Sequence, residues 1–217
     1  MTRIAILDYG MGNLRSVEKA LERVGAEAVI SADPETVRAA DGVILPGVGA
    51  FPAAMRRVRE LGLDALISER LERGTPVLGI CLGLQLLFSS SVENEGARGL
   101  GLVAGDVEPL QAPGLKVPHI GWSQVRWERE SELTEGLGDE VPFYFVHSFT
   151  PRPSDGADAL GTAEYGERFA CAIARPPLYG VQFHPEKSSA AGLRLLSNFA
   201  EICARVAVGP LTTSHPK

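Results

Sequence analysis

The chain has 217 residues, a formal net charge of −6 and 45% hydrophobic residues. This length is enough for one domain with a full core, and the acidic balance without a basic patch argues against nucleic-acid binding. No apolar run approaches the roughly 18 residues of a membrane span. The odd number of cysteines, three, and the absence of a signal segment argue against a secreted disulfide framework and predict a cytoplasmic protein with free thiols.

The first hundred residues alternate short apolar strands with amphipathic helices. Asn13 is predicted to cap the first helix and Gly25 to end it. The predicted strands are 4–8, 28–30, 43–45 and 76–80, and the predicted helical segments are 14–24, 52–73 and 82–88. This alternation predicts an α/β fold in which a mostly parallel central sheet is flanked by helices.

After residue 100 the pattern changes to short strands followed by one long helix. The predicted strands are 101–110, 122–127 and 143–149, and the predicted helix is 192–206. We therefore expect a single domain over residues 1–208, with additional short antiparallel strands after residue 100. The tail at 209–217 is predicted to be disordered.

Cys81 lies where the strand 76–80 must turn sharply into a helix. Gly79 and Gly83 stand two residues to either side, which is the G-x-nucleophile-x-G spacing of a nucleophile elbow. A thiol at the first turn of a helix also meets unpaired backbone N–H groups, which favour the thiolate. The alternative is a small buried hydrophobic residue. Cys171 and Cys203 lack the glycines and the turn and are predicted to lie in the core.

A nucleophilic cysteine needs a base, and the chain has four histidines. His215 lies in the polar tail and is set aside. His184 ends an apolar run and is followed by Pro185 and Glu186. Residues two apart in extended chain project to one side, so His184 and Glu186 can form a base with its orienting carboxylate. The tripeptide alone would also fit a polar strand end.

The segment 45–51, LPGVGAF, follows an apolar strand, and its two glycines allow backbone N–H groups to point at a ligand. We expect Val48 and Gly49 to supply oxyanion-hole donors there, together with the N–H of Leu82, the residue after the nucleophile. Without Cys81 the same segment could be a plain turn.

Three motifs together resemble the class I (triad) glutamine amidotransferases: PGVG at 46–49, GICLGLQLL at 79–87 and GVQFHPE at 180–186. The remainder is similar to the branch of that family that supplies ammonia for histidine biosynthesis. The segments that carry this likeness are ILDYGMGNLRSV (6–17), PHIGWS (118–123), FYFVHSF (143–149) and HPEKSSAAGLRLLSNF (184–199). Ser123 stands where the branch is expected to have Asn, and Phe149 stands where Tyr is common.

The resemblance implies a flavodoxin-like fold and the hydrolysis of glutamine to glutamate and ammonia. Cys81 would be the nucleophile that forms a thioester, and His184 and Glu186 would complete the triad. Glutamine would lie against Gly49, Gln85, His147 and Ser148, with His147 as a pocket residue and not a base. The alternative for His147 is a strand histidine satisfied by the backbone. This chemistry requires no cofactor and no metal ion.

The resemblance further implies a heterodimer with a (β/α)8-barrel cyclase, which uses the ammonia to make imidazole glycerol phosphate. Met11, Asn13, Trp122 and Lys187 are the predicted docking residues, because each neighbours a loop on the active-site side. The alternatives are a Trp122 that fills the core and a Lys187 that is only a solvated charge. The loop LPGVGAF is expected to hold its donors misaligned until the cyclase and its ligand bind.

Two other functions remain open. The first is a glutaminase of the same superfamily that feeds a different synthase, which would share the triad and lack DYGMGN and PHIGW. The second is a catalytically silent docking module on the same fold. Such a module would be expected to lose Cys81, His184 or Glu186, and all three are present.

Overall fold

The computed structural model describes residues 1–208. The predicted domain boundary at 208 and the tail at 209–217 therefore lie at or outside the limit of the described residues. The first part of the chain forms, in order, β1 (Arg3–Leu7), α1 (Leu14–Arg23), β2 (Glu27–Ser31), α2 (Pro34–Arg38), β3 (Gly42–Leu45), α3 (Phe51–Glu60), α4 (Leu63–Glu72), β4 (Val77–Ile80) and α5 (Leu82–Leu86).

The second part is mostly strand and ends in the longest helix. In order it forms β5 (Phe88–Ser91), β6 (Ala97–Arg98), β7 (Val103–Pro109), β8 (His119–Trp127), β9 (Glu140–His147), β10 (Phe149–Pro153), β11 (Ala159–Tyr165), β12 (Glu167–Arg175), β13 (Leu178–Val181) and α6 (Ser189–Val208). Single 3₁₀ turns occupy Glu132–Thr134, Gly156–Asp158 and Pro185–Lys187.

The central sheet has nine strands in the order β2-β1-β3-β4-β13-β12-β11-β8-β9. The first five are parallel, in the order typical of flavodoxin-like folds, and the last four are antiparallel. The predicted α/β class is confirmed, and the strands after residue 100 make the sheet mixed. A second sheet contains β10-β7-β5-β6.

Helices cover both faces of the central sheet because consecutive residues of its inner strands, which point to opposite faces, are apolar. In β1, Ile4 and Ile6 pack into one core cluster with α1 and α6, and Ala5 and Leu7 pack into the other with α3 and α4. The carboxyl ends of the parallel strands remain open between these layers, and this is the edge where a doubly wound sheet places its binding site.

Three local predictions need correction. The helix predicted over 82–88 ends at Leu86, because Phe88 begins β5 and pairs with β7. The strand predicted over 143–149 is interrupted at Ser148, after which β10 joins the second sheet. Asn13 precedes α1, but its side chain makes no capping hydrogen bond.

Helix α2 was not predicted, although its signal is present in the sequence. The Asp33 side chain accepts a hydrogen bond from Thr36 N at 2.8 Å, and Pro34 occupies the first helical position. None of the helices in residues 1–208 combines the length and apolar character needed to cross a membrane.

Candidate active site

Cys81 joins β4 to α5 in a backbone conformation, φ +55° and ψ −109°, that is rare for any residue other than glycine. Glycine is required at both flanking positions because neighbouring backbone atoms lie too close to leave room for a side chain. A Cβ on Gly79 would lie 2.8 Å from the Gly83 backbone, and a Cβ on Gly83 would collide with the carbonyl oxygen of Leu45. The strain, on the order of 1–3 kcal/mol, is typical of functional sites.

The Cys81 side chain is 6% exposed and is surrounded by polar groups from three strand ends. Its sulfur lies 3.7 Å from Val146 O and 3.7 Å from Gln182 Nε2. On one side His184 lies close enough to Cys81 for the two groups to interact electrostatically, and both line the same cavity. On the other side, His184 Nδ1 and Glu186 Oε1 are 2.8 Å apart, with both side chains at least 95% buried. The three residues are arranged as a catalytic triad.

The electrostatics of this arrangement place a proton on His184. Burial by itself lowers the pKa of His184, but the hydrogen bonds and charges of Cys81 and Glu186 outweigh it and raise the pKa to about 10. At neutral pH the imidazole is therefore protonated, with Nδ1 donating to Glu186 and Nε2 left for Cys81. A thiolate beside an imidazolium is the form in which cysteine attacks carbonyl carbon.

The loop from Pro46 to Ala50 lies beside the start of α5. The buried Tyr9 hydroxyl donates a hydrogen bond to Pro46 O at 2.6 Å, and a Cβ on Gly47 would collide with that hydroxyl. Gly49 has φ +109°. The N–H groups of Val48 and Gly49 donate to no backbone acceptor within residues 1–208, so neither is already used there.

A cavity of about 260 Å³ opens above Cys81. It brings together the predicted nucleophile and base, the predicted oxyanion loop, the predicted glutamine-binding residues and one predicted docking residue. Its lining residues are Val48, Gly49, Cys81, Leu82, Gln85, Glu93, Pro118, Val146, His147, Ser148, Phe149, His184 and Lys187. Glu186 lies behind His184, away from this lining.

His147 lies in the cavity wall, but both of its ring nitrogens are already engaged. Nδ1 is 2.9 Å from Phe149 O, which can only accept, so Nδ1 carries the hydrogen. Nε2 is 3.1 Å from His119 Nδ1, and His119 Nε2 is 3.0 Å from Ser123 Oγ. A single direction of donation, from Ser123 through His119 to His147, satisfies all three contacts.

His119 and His147 are both neutral near pH 7. Burial lowers the pKa of His119 to about 4. Burial is also the main reason that the pKa of His147 falls to about 4, against the opposing effect of the Phe149 carbonyl. His147 therefore lines the pocket and is hydrogen-bonded to the backbone. Ser123, which was not expected at its position, is hydrogen-bonded to His119 and so helps to hold His147 in place.

Gln85 is held by contacts inside the protein. Its Nε2 is 3.0 Å from Phe149 O and 3.1 Å from Gln182 Oε1, so both amide hydrogens are used. Its Oε1 receives no hydrogen bond from residues 1–208. Any contact of this side chain with a ligand in the cavity is therefore made through Oε1.

Of the four predicted docking residues, Lys187 lines the cavity, and Met11 approaches Gly49 of that lining. The Trp122 side chain is 52% exposed, which excludes the alternative that it fills the core. Met11 contacts Gly49 closely enough that a Cβ there would be 2.7 Å from Met11 Cε. Asn13 is exposed, and Lys187 is exposed at the rim of the cavity.

Several residues of the site were not predicted from the sequence. Glu93 lines the cavity and accepts a hydrogen bond from Phe51 N at 2.8 Å, but nothing in its local sequence marks it. Gln182 and His119 reach the site through the sheet. Gln182 carried a usable signal, since it lies two residues before His184 in nearly extended chain. Within residues 1–208, no group of three or more His, Cys, Asp or Glu side chains is placed to hold a metal ion.

The sequence model of the family "Glutamine amidotransferase class-I" matches residues 5–203. A solved structure described as a glutamine amidotransferase superimposes with a TM-score of 0.73 at 24% identity, covering 93% of this chain and 99% of that chain, which shows the shared fold.

Much more similar sequences come from a narrower group. The imidazole glycerol phosphate synthase subunit HisH of Moorella thermoacetica is 54% identical over 202 residues, covering 93% of this chain and 96% of that protein. The HisH subunit of Aquifex aeolicus is 50% identical over 198 residues, covering 91% and 95%. The chain therefore belongs to the class-I glutamine amidotransferases and, within them, to the HisH subunits.

Proposed function

We propose that this protein is the glutaminase subunit of an imidazole glycerol phosphate synthase. It hydrolyses glutamine to glutamate and ammonia, and it passes the ammonia to a cyclase subunit for histidine biosynthesis. The observation that carries the proposal is that buried Cys81 and His184 line one cavity, with Glu186 held 2.8 Å from the His184 ring. Relatives that are about half identical over nearly the whole chain support the choice of synthase.

The cavity suits an amino-acid zwitterion with a side-chain amide. Its volume of about 260 Å³ is of the size a single amino acid needs. The Glu93 carboxylate at its wall is a partner for the α-ammonium group of glutamine, and Gln85 Oε1 is a neutral acceptor. The side-chain amide then points toward Cys81, with Gly49, His147 and Ser148 along the wall.

The chemistry follows from the positions of the groups. The Cys81 thiolate attacks the carboxamide carbon, and the N–H groups of Leu82 and Val48 bind the oxyanion that forms. His184 gives its proton to the leaving ammonia, and a γ-glutamyl thioester remains. Water then attacks the thioester with His184 as general base, which releases glutamate and restores the thiolate. Glu186 orients His184 throughout.

We propose that the partner is a (β/α)8-barrel cyclase and that the complex is a heterodimer. Exposed apolar side chains lie beside residues of the cavity lining, where an aqueous surface would disfavour them. Ile120 is 60% exposed and pairs with Val146 of the lining, and Val117 is 46% exposed and precedes Pro118 of the lining. These side chains extend the docking surface predicted from Met11, Asn13, Trp122 and Lys187.

Docking at this surface would act on the oxyanion loop directly. The segment that carries Met11 and Asn13 touches the loop through Met11 and Gly49, and Tyr9 holds the other end of the loop through Pro46 O. We propose that the donors at Val48 and Gly49 reach their catalytic alignment only when the cyclase and its ligand bind. We also propose a cytoplasmic location, in keeping with three free cysteines.

The test is glutamate formation by the isolated chain, compared with the chain plus a cyclase subunit and an acceptor analogue. We expect slow turnover alone and an increase of at least about tenfold in the complex, with little change in KM. A cyclase from another pathway is the control. Full activity in isolation would contradict the gating, and activation by an unrelated synthase would contradict the choice of partner.

A further inference from the structure

The side chain of Gln182, two residues before His184, lies against the nucleophile. Gln182 is 0% exposed, and its Nε2 is 3.7 Å from Cys81 Sγ. We infer that Gln182 is a catalytic residue, whose amide donates a hydrogen bond to the Cys81 sulfur whenever that sulfur carries negative charge. The inference rests on the proposed role of Cys81 as nucleophile.

The neighbouring groups fix which end of the Gln182 amide faces the sulfur. Phe149 O can only accept a hydrogen bond, so the adjacent end of the Gln85 amide must be its NH₂ group. The same NH₂ group is 3.1 Å from Gln182, which must then present Oε1 to it. Turning the Gln182 amide over would set two NH₂ groups against each other and an oxygen against the sulfur.

Phe149 O, the acceptor from which this series of amide hydrogen bonds starts, also has a second donor. Phe149 O also receives the Nδ1 hydrogen of His147, whose other ring nitrogen lies 3.1 Å from His119 Nδ1. The amide order from Phe149 to Gln85 to Gln182 therefore has one consistent direction, and it ends at Cys81.

The contact between Gln182 and the Cys81 sulfur is chemically useful because a buried thiolate is unstable without hydrogen-bond donors. His184 provides one donor, but it must give up its proton when ammonia leaves. The Gln182 amide keeps its hydrogens through the whole cycle. It can therefore stabilise Cys81 as the thiolate before attack and again as the leaving thiolate when water breaks the thioester.

The substitution Gln182→Glu tests this with a change of one atom. It preserves the volume and the acceptor for Gln85, and it replaces the donor that faces Cys81 by oxygen. We expect the pH of half-maximal alkylation of Cys81 by iodoacetamide to rise by about one unit or more, and kcat for glutamine to fall at least about tenfold. KM should change little, since the cavity wall is intact.

The pH midpoint is interpretable because the other ionisable groups near the sulfur are the same in every variant. They are His184 and Glu186 after β13, Tyr9 after β1, His147 at the end of β9, and Glu93 and Lys187 in the cavity lining. The matched control is Thr150→Val, which also removes a polar group from a fully buried side chain and does so where the hydroxyl has no partner.

Gln182→Met is the second variant, should the carboxylate prevent folding. It removes the donor without adding charge, and a smaller upward shift of the alkylation midpoint is expected. A folded variant of either kind with the wild-type midpoint and wild-type kcat would overturn the inference. Alkylation requires no glutamine, so this result is separate from failure of the proposed function, which would appear as glutamine hydrolysis by Cys81→Ala.

Discussion

The parallel strands β3, β4 and β13 are followed by residues of the cavity lining that include Cys81 and His184. The antiparallel strand β9 ends at the cavity with the neutral His147, and β8 begins beside it with the neutral His119 and carries the exposed Trp122. The parallel half carries the oxyanion loop, Cys81 and His184. The antiparallel half carries His119, His147 and Trp122. We propose from this difference that one half of the sheet performs the chemistry, and that the other half shapes the pocket and binds the partner.

The largest effect should come from the end of β4. Cys81→Ala should lower glutamine hydrolysis by about 10⁴-fold or more, because no other group can form the thioester. The fold and glutamine binding should be retained. Cys203→Ala is the control, since that cysteine lies 0% exposed in the core. Comparable losses of kcat in both variants would mean that the reactive half has been misassigned.

His184 and Glu186 at the end of β13 should give graded losses. His184→Ala should lower kcat by about 10³ to 10⁴-fold, since acid and base are both removed. Glu186→Gln should cost about 10²-fold, because the carboxylate orients the imidazole and exchanges no proton itself. Steady-state kinetics with both variants provide the measurement. Equal rates for wild type and His184→Ala would contradict the triad.

A substitution on the antiparallel half should weaken binding of the cyclase and leave glutamine hydrolysis by the isolated protein unchanged. Trp122→Ala should weaken binding to the cyclase by about 2 kcal/mol, or roughly thirtyfold, as expected for an exposed aromatic at an interface core. Basal hydrolysis should stay within about twofold of wild type. Titration calorimetry with the cyclase measures the first quantity, and Val92→Ala, a similarly exposed apolar residue, is the control.

The smallest effect should be on acid stability. The pKa of His119 and of His147 is about 4 in the folded protein, below the ordinary 6.5. The unfolded chain therefore binds protons between pH 6.5 and 4 that the folded chain does not, so stability falls as pH falls through that range. His119→Phe should make this decline shallower by up to about one proton, and should cost about 1–3 kcal/mol at pH 7.

Denaturant unfolding of the wild type and of His119→Phe at several pH values measures how their free energies of unfolding depend on pH. The phenylalanine ring can take the stacked position of His119 between Phe145 and Tyr165, where the ring centroids are 5.0 and 4.0 Å away. It leaves His147 Nε2 without its donor, which is the source of the cost at pH 7. Parallel pH dependences would show that His119 does not contribute a titrating group.

The difference between the parallel and antiparallel halves of the sheet also explains how much of the site could be predicted from the sequence. Cys81, its glycines and the pair His184 and Glu186 were predictable because each motif is local, with its geometry set by neighbours within a few residues. The helix over 82–88 was too long in the prediction, because its end is set by pairing of Phe88 with the second sheet.

The partners of the antiparallel half could not be predicted in this way. His119 meets His147 through the register of β8 and β9, which separates them by 28 residues. Glu93 reaches the cavity by a hydrogen bond to Phe51, 42 residues earlier. Contacts of this kind depend on the assembled sheet, so no local pattern contains them.

The assignment of Cys81 as the nucleophile is tested most directly by covalent trapping. The isolated protein is incubated with a glutamine analogue that carries an electrophilic group in place of the carboxamide, and the adduct is located by peptide mass spectrometry. We expect one adduct per chain, on Cys81, formed much more slowly in His184→Ala. An adduct on Cys171 or Cys203, or trapping at the same rate without His184, would contradict it.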